Sequence, residues 1–243
     1  MKIALAPVAL ACQQPYRTIW YVFMTESGSP LACTRRETRK RERQERILQV
    51  AHRYFLDQGY AGTTMSAIAQ TLGGSKGTLW KHFPSKDVLF AAVIDRVAQA
   101  YRARLSQLLD EQADIQTVLE NVCTSLVSKV TSPDVIAVHR VVISEGGRFP
   151  ELARIFSELA PRNTRAVLAA FLENAMKRGL LRKADPLDAA RALMSLCMAG
   201  THHGLLMGQI IDFDQDDIDR DAAFAVDLFL RAYAPDSRPA TSI

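Results

Sequence analysis

The chain has 243 residues, a net charge of +4 and 48% hydrophobic residues, with a mean hydropathy near zero. That length suits one large domain or two modest ones, and the composition is that of an ordinary globular protein. No apolar run reaches the roughly 18 residues of a membrane span, and the four cysteines (Cys12, Cys33, Cys123, Cys197) form no CxxC and no disulfide framework, so a cytoplasmic protein with reduced thiols is expected.

Charge is unevenly spread. Between Arg35 and Lys86 eleven Lys and Arg stand against four Asp and Glu, while the chain beyond Lys86 is acidic on balance. A small basic module joined to a larger, mildly acidic one is the footprint of a nucleic-acid binder with a separate regulatory domain. A solvated basic helix face would give the same balance. Only 12 glycines and 10 prolines are present, long stretches mix Ala, Leu, Val, Glu and Arg, and period-2 alternation is almost absent. An all-α fold is expected.

The first residues allow two readings. Ile3 to Ala11 is a short apolar run behind Lys2 and before Cys12, faintly like a leader, but Ala9 stands where a lipoprotein motif has Leu. The alternative is translation from Met24, which leaves a polar arm ahead of the basic run. Residues 1–37 are accordingly expected to be a disordered extension with a basic arm, or in part to precede the true start.

From Thr38 the pattern is helical. Ile47, Val50, Ala51, Tyr54 and Phe55 share one face, and Gly59 ends the helix. Thr64 caps a short helix from Met65 to about Thr71. Gly73-Gly74 breaks it, and Ser75 caps a second, Lys76 to about His82, anchored by Leu79 and Phe83 and stopped by Pro84. Ser85 caps a long helix to about Leu109. Two short helices around a glycine turn, behind a support helix, form the arrangement that places the second helix in the major groove, although such units also occur as packing elements. Further helices are expected at Ile115–Val130, Pro133–Glu145, Pro150–Arg178 (bent at Pro161), Pro186–Met207 behind the cap Asp185, and Asp217–Tyr233. That makes about nine: a helix-turn-helix domain over 38–84, a helical domain over 85–234 and a tail over 235–243.

Several residues carry a family resemblance: Ile47-Leu48, Ala51, Phe55, Gly59-Tyr60, Thr63-Thr64-Met65, Ile68-Ala69, the run Ser75-Lys76-Gly77-Thr78-Leu79-Trp80-Lys81-His82-Phe83, and Ser85-Lys86-Asp87. At fixed spacing over about residues 40–95 they resemble the TetR family of transcriptional regulators. The later stretch from Val138 to Leu193 is similar to the AefR-like regulatory domain found in part of that family. Gly74 departs from the pattern where an apolar residue usually ends the turn, and Trp80 replaces a Tyr.

The resemblance implies a dimeric repressor of a near-palindromic site in double-stranded DNA, released by a small apolar or amphipathic effector. It implies DNA contacts from Thr64, Ser75, Lys76, Gly77, Thr78, Leu79, Trp80, His82 and Lys86, with Lys76 and Thr78 reading bases and Trp80, His82 and Lys86 on the backbone. The Arg35–Arg46 run would reach the minor groove or screen phosphates. An effector pocket among the middle helices could draw on Leu126, His139, Phe156, Phe171, Met194 and Met198, each of which would also serve as plain core. A dimer face would use Leu193, Leu196, Gly200, Phe224 and Leu228, with small residues such as Gly200 and Gly204 allowing close approach.

Other signals fail. His202-His203 is adjacent, so helical geometry splays the rings about 100° apart, unlike an i,i+4 metal pair. Asp212 to Asp216 opens like a calcium loop, but lacks its glycine and its closing Glu. No nucleophile elbow, Walker loop, zincin or dinucleotide motif occurs. No enzyme, cofactor, metal or membrane partner is expected. The competing functions are a DNA-binding activator or architectural regulator without a small ligand, and an all-helical enzyme or scaffold without DNA affinity.

Overall fold

The computed structural model describes residues 35–73 and 76–235. Every regular element among them is a helix: α1 (Arg35–Gly62), α2 (Met65–Thr71), α3 (Lys76–His82), α4 (Lys86–Leu108), α5 (Ile115–Val130), α6 (Pro133–Glu145), α7 (Pro150–Leu159), α8 (Pro161–Lys177), α9 (Pro186–Cys197), α10 (Thr201–Leu206) and α11 (Gln215–Tyr233). None is long and apolar enough to cross a membrane. The leader-like run, Met24, Gly74, Ser75 and the tail beyond 235 lie outside the described residues.

The chain divides between Glu45 and Arg46 into two units. In the first, the described part is the opening of α1, exposed from Glu37 to Arg43 and rich in Arg.

The second unit holds two cores. In one, Ile47, Ala51 and Phe55 of α1 meet Ile68 of α2, Leu79 of α3, Leu89 and Phe90 of α4, Val138 of α6 and Leu152 of α7. In the other, Tyr101 and Leu105 from the far end of α4 pack with α5, α8, α9 and α11. At 1.5 Å per residue the 23-residue α4 is about 35 Å long, which lets it serve both cores.

Local chemistry sets most helix ends. Thr64, Ser85, Asp114 and Asp185 each accept a backbone N–H from the first turn of the helix that follows. Asp214 and Asp217 form a reciprocal capping box at α11. Gly59 is left-handed (φ 69°) and interrupts α1, after which one more turn, through Gly62, follows. A side chain at Gly59 would also run into the Glu145 carboxylate.

The nine expected helices become eleven among the described residues, through two breaks. At Ala160 the backbone leaves helical geometry (ψ −79°) and Pro161, which has no N–H to donate, opens α8 instead of bending a continuous helix. Arg102 of α4 fills the gap by donating to the Leu159 carbonyl at 2.9 Å while pairing with Asp95 at 3.0 Å. The second break lies at Gly200. The Asp221 carboxylate of α11 accepts the Thr201 N–H at 2.6 Å and occupies the space a Cβ on Gly200 would need. Gly200 is therefore small for a neighbour within its own chain, as is Gly204, against Ile210.

Candidate functional site

The helix-turn-helix is built from its apolar contacts outward. Ile68 and Ala69 seat α2, and Leu79 (2% exposed) and Phe83 seat α3. The buried Thr63 hydroxyl is shared between the carbonyls of Tyr54 (2.9 Å) and Gly59 (2.7 Å), which satisfies the acceptors that the Gly59 break releases. Tyr54 ties α1 to α2 through the Thr71 hydroxyl at 2.7 Å.

These anchors decide which residues face out. Thr64 uses its oxygen lone pair on the Ala67 N–H (3.2 Å) and keeps its O–H as a donor. Gly77 and Lys81 are exposed, Trp80 is 37% exposed, and Thr78 and His82 are half-buried, with the His82 ring tilted against Phe83. Lys76 opens α3.

Two expectations need correction. Leu79 turns its side chain into the core, so it supports α3 and offers no side chain to the groove. Lys86 is also turned inward. Its ammonium donates to the Tyr60 carbonyl at 2.7 Å and lies 4.3 Å from the centre of the Tyr60 ring and 5.9 Å from that of Phe149. It is a clamp on the end of α1 and not a backbone contact in this conformation.

The same joint is held from the other side. Glu145, the last residue of α6, accepts the backbone N–H groups of Tyr60 (2.8 Å) and Ala61 (2.6 Å). The Tyr60 hydroxyl donates to Asp87. One peptide is thus gripped at its N–H by α6 and at its carbonyl by α4.

A cavity of about 360 Å³ lies between α4, α5, α6, α7, α8, α9 and α10. Leu126, His139, Phe156, Met194 and Met198 line it, whereas Phe171 packs into the α5–α8–α9–α11 core. Tyr101, Lys129, Thr164 and His202 also line it, and the sequence reading missed them. In the sequence the only nearby partner of His202 is the adjacent His203. Its actual partner is His139, 63 residues away, with Nδ1 of His139 2.9 Å from Nε2 of His202. Among the described residues no cluster of three or more His, Cys, Asp or Glu could hold a metal.

Burial, reinforced by the neighbouring His202, pushes the His139 pKa down to about 4, and burial also lowers that of His202. A hydrogen bond with Cys123 raises the pKa of the Cys197 thiol, and burial raises it further. The histidine shift has a stability consequence. A group whose pKa falls on folding is protonated first in the unfolded chain, so stability is complete above about pH 6.5 and drops as pH falls towards 4. His139 alone should remove about 2 kcal/mol by pH 5. Urea midpoints at pH 7.5, 6 and 5 should decline in that order; a midpoint that is flat or rising towards pH 5 would contradict the neutral buried pair.

The residues expected at a dimer face divide. Leu193 has no exposed surface left to offer a second subunit, being wholly enclosed in its own core, and Leu196 is partly buried against it. Phe224 (53% exposed) and Leu228 (37% exposed) point out from α11, and Leu187 is exposed at the start of α9.

Comparison with known proteins finds two matching family descriptions. Residues 47–93 match bacterial regulatory proteins of the tetR family, and residues 117–235 match the AefR-like transcriptional repressor C-terminal domain. The HTH-type transcriptional regulator UidR of Escherichia coli K12 is 24% identical over 189 residues, which is 78% of this chain and 90% of UidR. Among solved structures, the flavonoid-responsive regulator FrrA is 31% identical with a TM-score of 0.69, over 81% of this chain and 99% of FrrA. A TetR-family transcriptional regulator from Mesorhizobium loti MAFF303099 has 26% identity and a TM-score of 0.71, over 81% of this chain and 98% of its own.

Proposed function

Because the chain belongs to the tetR family of bacterial regulatory proteins, DNA-binding transcriptional repressors, we propose that it works as a homodimer on a near-palindromic operator and releases it when a small apolar or amphipathic molecule fills the cavity. The observation that carries this reading is the double duty of α6. One face, with Val138, His139 and Val142, lines the cavity, and its last residue holds the Tyr60 and Ala61 amides. A ligand that prefers a conformer with α6 displaced would shift the seat of α1 and with it the helix-turn-helix. By linkage that preference is the whole of its effect on DNA affinity. The exposed Phe224 and Leu228 support an α11 dimer face, and two α3 helices would then enter successive major grooves about 34 Å apart. FrrA, named for its response to flavonoids, adds support for an effector.

Selection of bound duplexes from a random pool tests the DNA reading, and a melting-temperature screen against a metabolite library finds the effector. An inverted repeat should be enriched, and the effector should weaken binding to it at least tenfold. Glu145→Ala should keep the selected sequence but lose most of that response. Absence of any enriched sequence would refute the proposal, and a library that never moves the melting temperature would favour a regulator without a small ligand.

A further inference from the structure

The cavity is one of two spaces that share Tyr101 and Lys129 as walls. Its own lining is almost wholly apolar, and about 360 Å³ falls within the roughly 300–1,000 Å³ that houses a small organic ligand. The neighbouring depression, of about 330 Å³, is polar instead, lined by Arg104 of α4 and by Ser125, Ser128 and Ser132. No carboxylate lines either space. His139 and His202 are neutral at pH 7.5, burial having lowered both. Among the described residues Lys129 is therefore the one charged group on the cavity wall, and Arg104 adds a second positive charge on the side of the depression.

Lys129 is short of partners. Among the described residues its ammonium enters no ion pair, and the Asp134 carboxylate acts on it only at a distance. Burial lowers the Lys129 pKa while Asp134 opposes the shift, which marks an ammonium that has given up hydration without gaining a direct counter-ion. The neighbouring hydroxyls are partly spent: Ser132 donates to the Lys129 carbonyl at 2.8 Å, and Thr164 to the Ala160 carbonyl at 3.1 Å. The Tyr101 hydroxyl is buried with no hydrogen-bond partner. What the junction of the two spaces holds in reserve is positive charge and hydrogen-bond donors.

That reserve selects by sign. A carboxylate at the junction accepts from Lys129 and Arg104 in charge-assisted bonds, the stronger class, while the rest of the molecule fills the apolar cavity. Arg104 is exposed and Lys129 half-buried, so the anion keeps water on one side and escapes the cost of full burial. A neutral amide of the same shape makes only the weaker, uncharged bonds. Resting on the reading of this cavity as the effector site, we propose that the effector is an amphipathic anion, its apolar body in the cavity and its carboxylate at the Lys129–Arg104 junction.

The test uses two matched pairs, octanoate with octanamide and 4-phenoxybenzoate with 4-phenoxybenzamide, titrated calorimetrically into the full-length protein at pH 7.5. At least one carboxylate should bind about tenfold or more tightly than its amide, and should weaken binding to the selected operator. Lys129→Met keeps an apolar stem on α5 and removes the charge. It should cut the preference to about threefold or less with affinity for the amide retained, whereas Lys129→Arg should keep the preference, which a loss of packing alone would not explain. Arg104→Gln, at an exposed position, should reduce it by a smaller factor and gives the reading should Lys129→Met not fold. Amides bound as tightly as the carboxylates, or a preference untouched by both Lys129→Met and Arg104→Gln, would overturn the assignment. So would a protein that binds its selected operator and neither carboxylate, or Lys129-dependent binding that leaves operator affinity unchanged. A Lys129-dependent preference in a protein that selects no operator would uphold the anion site and count against the proposed function instead.

Discussion

Phe55→Ala should destabilise the protein by about 3–5 kcal/mol, the range for removing a ring from a packed core. Phe55 is 1% exposed. Its ring stacks on Tyr60 at 5.9 Å and meets Phe90 edge-to-face at 5.1 Å, and Tyr60 goes on to Phe90 and Phe149 at 5.4 and 5.3 Å. The four rings come from α1, its last turn, α4 and the residue before α7, so the void cannot close by moving one side chain. Tyr60 is further held by Lys86, Asp87 and Glu145, which leaves the surroundings little freedom to relax. Urea unfolding should show a lowered midpoint with an unchanged slope. A loss below about 1 kcal/mol would mean that this cluster is not the keystone of the first core.

How much of this was legible in the sequence depends on how local each cause is. The spans of α2, α3, α5 and α6 follow from residues within a turn of their ends: Thr64, Pro84, Asp114 and Pro133. The break at Gly200 has its cause twenty residues away in Asp221, so the glycine could only be read as a place for close helix approach. Pro161 was visible, but proline fits both a bend and a first helical position, and the Arg102 contact that settles the matter comes from 57 residues away. Lys86 looked like a phosphate ligand because its aromatic partners Tyr60 and Phe149 are distant in sequence. Phe171 shows the limit of periodicity. It marks a side chain as inward, but not whether the space it enters is filled or empty. The His139–His202 contact left no local signal at all.

Replacing Thr78 and Trp80 together by Ala should lower operator affinity by at least 100-fold while leaving the melting temperature nearly unchanged. Neither side chain is part of the buried core, whose hold on α3 comes from Leu79 and Phe83. A lost base contact costs about 1–3 kcal/mol, and the proposed dimer would carry each substitution twice. Thr78→Ala alone should relax preference at one position of each half-site. Lys76→Ala should likewise relax preference at a position of each half-site and, because it also removes a charge, reduce the slope of log affinity against log salt by about one per bound subunit. Two controls separate reading from folding. Leu79→Ala should abolish binding through loss of stability. Lys86→Ala should cost stability yet leave the salt slope as it was, since its ammonium is spent on Tyr60. Anisotropy titrations at several salt concentrations, with melting curves for each variant, distinguish the four patterns. If Lys86→Ala lowers the salt slope as Lys76→Ala does, the clamp opens on DNA and Lys86 moves to a phosphate; if the Thr78 and Trp80 pair leaves affinity intact, α3 is not the helix that enters the groove.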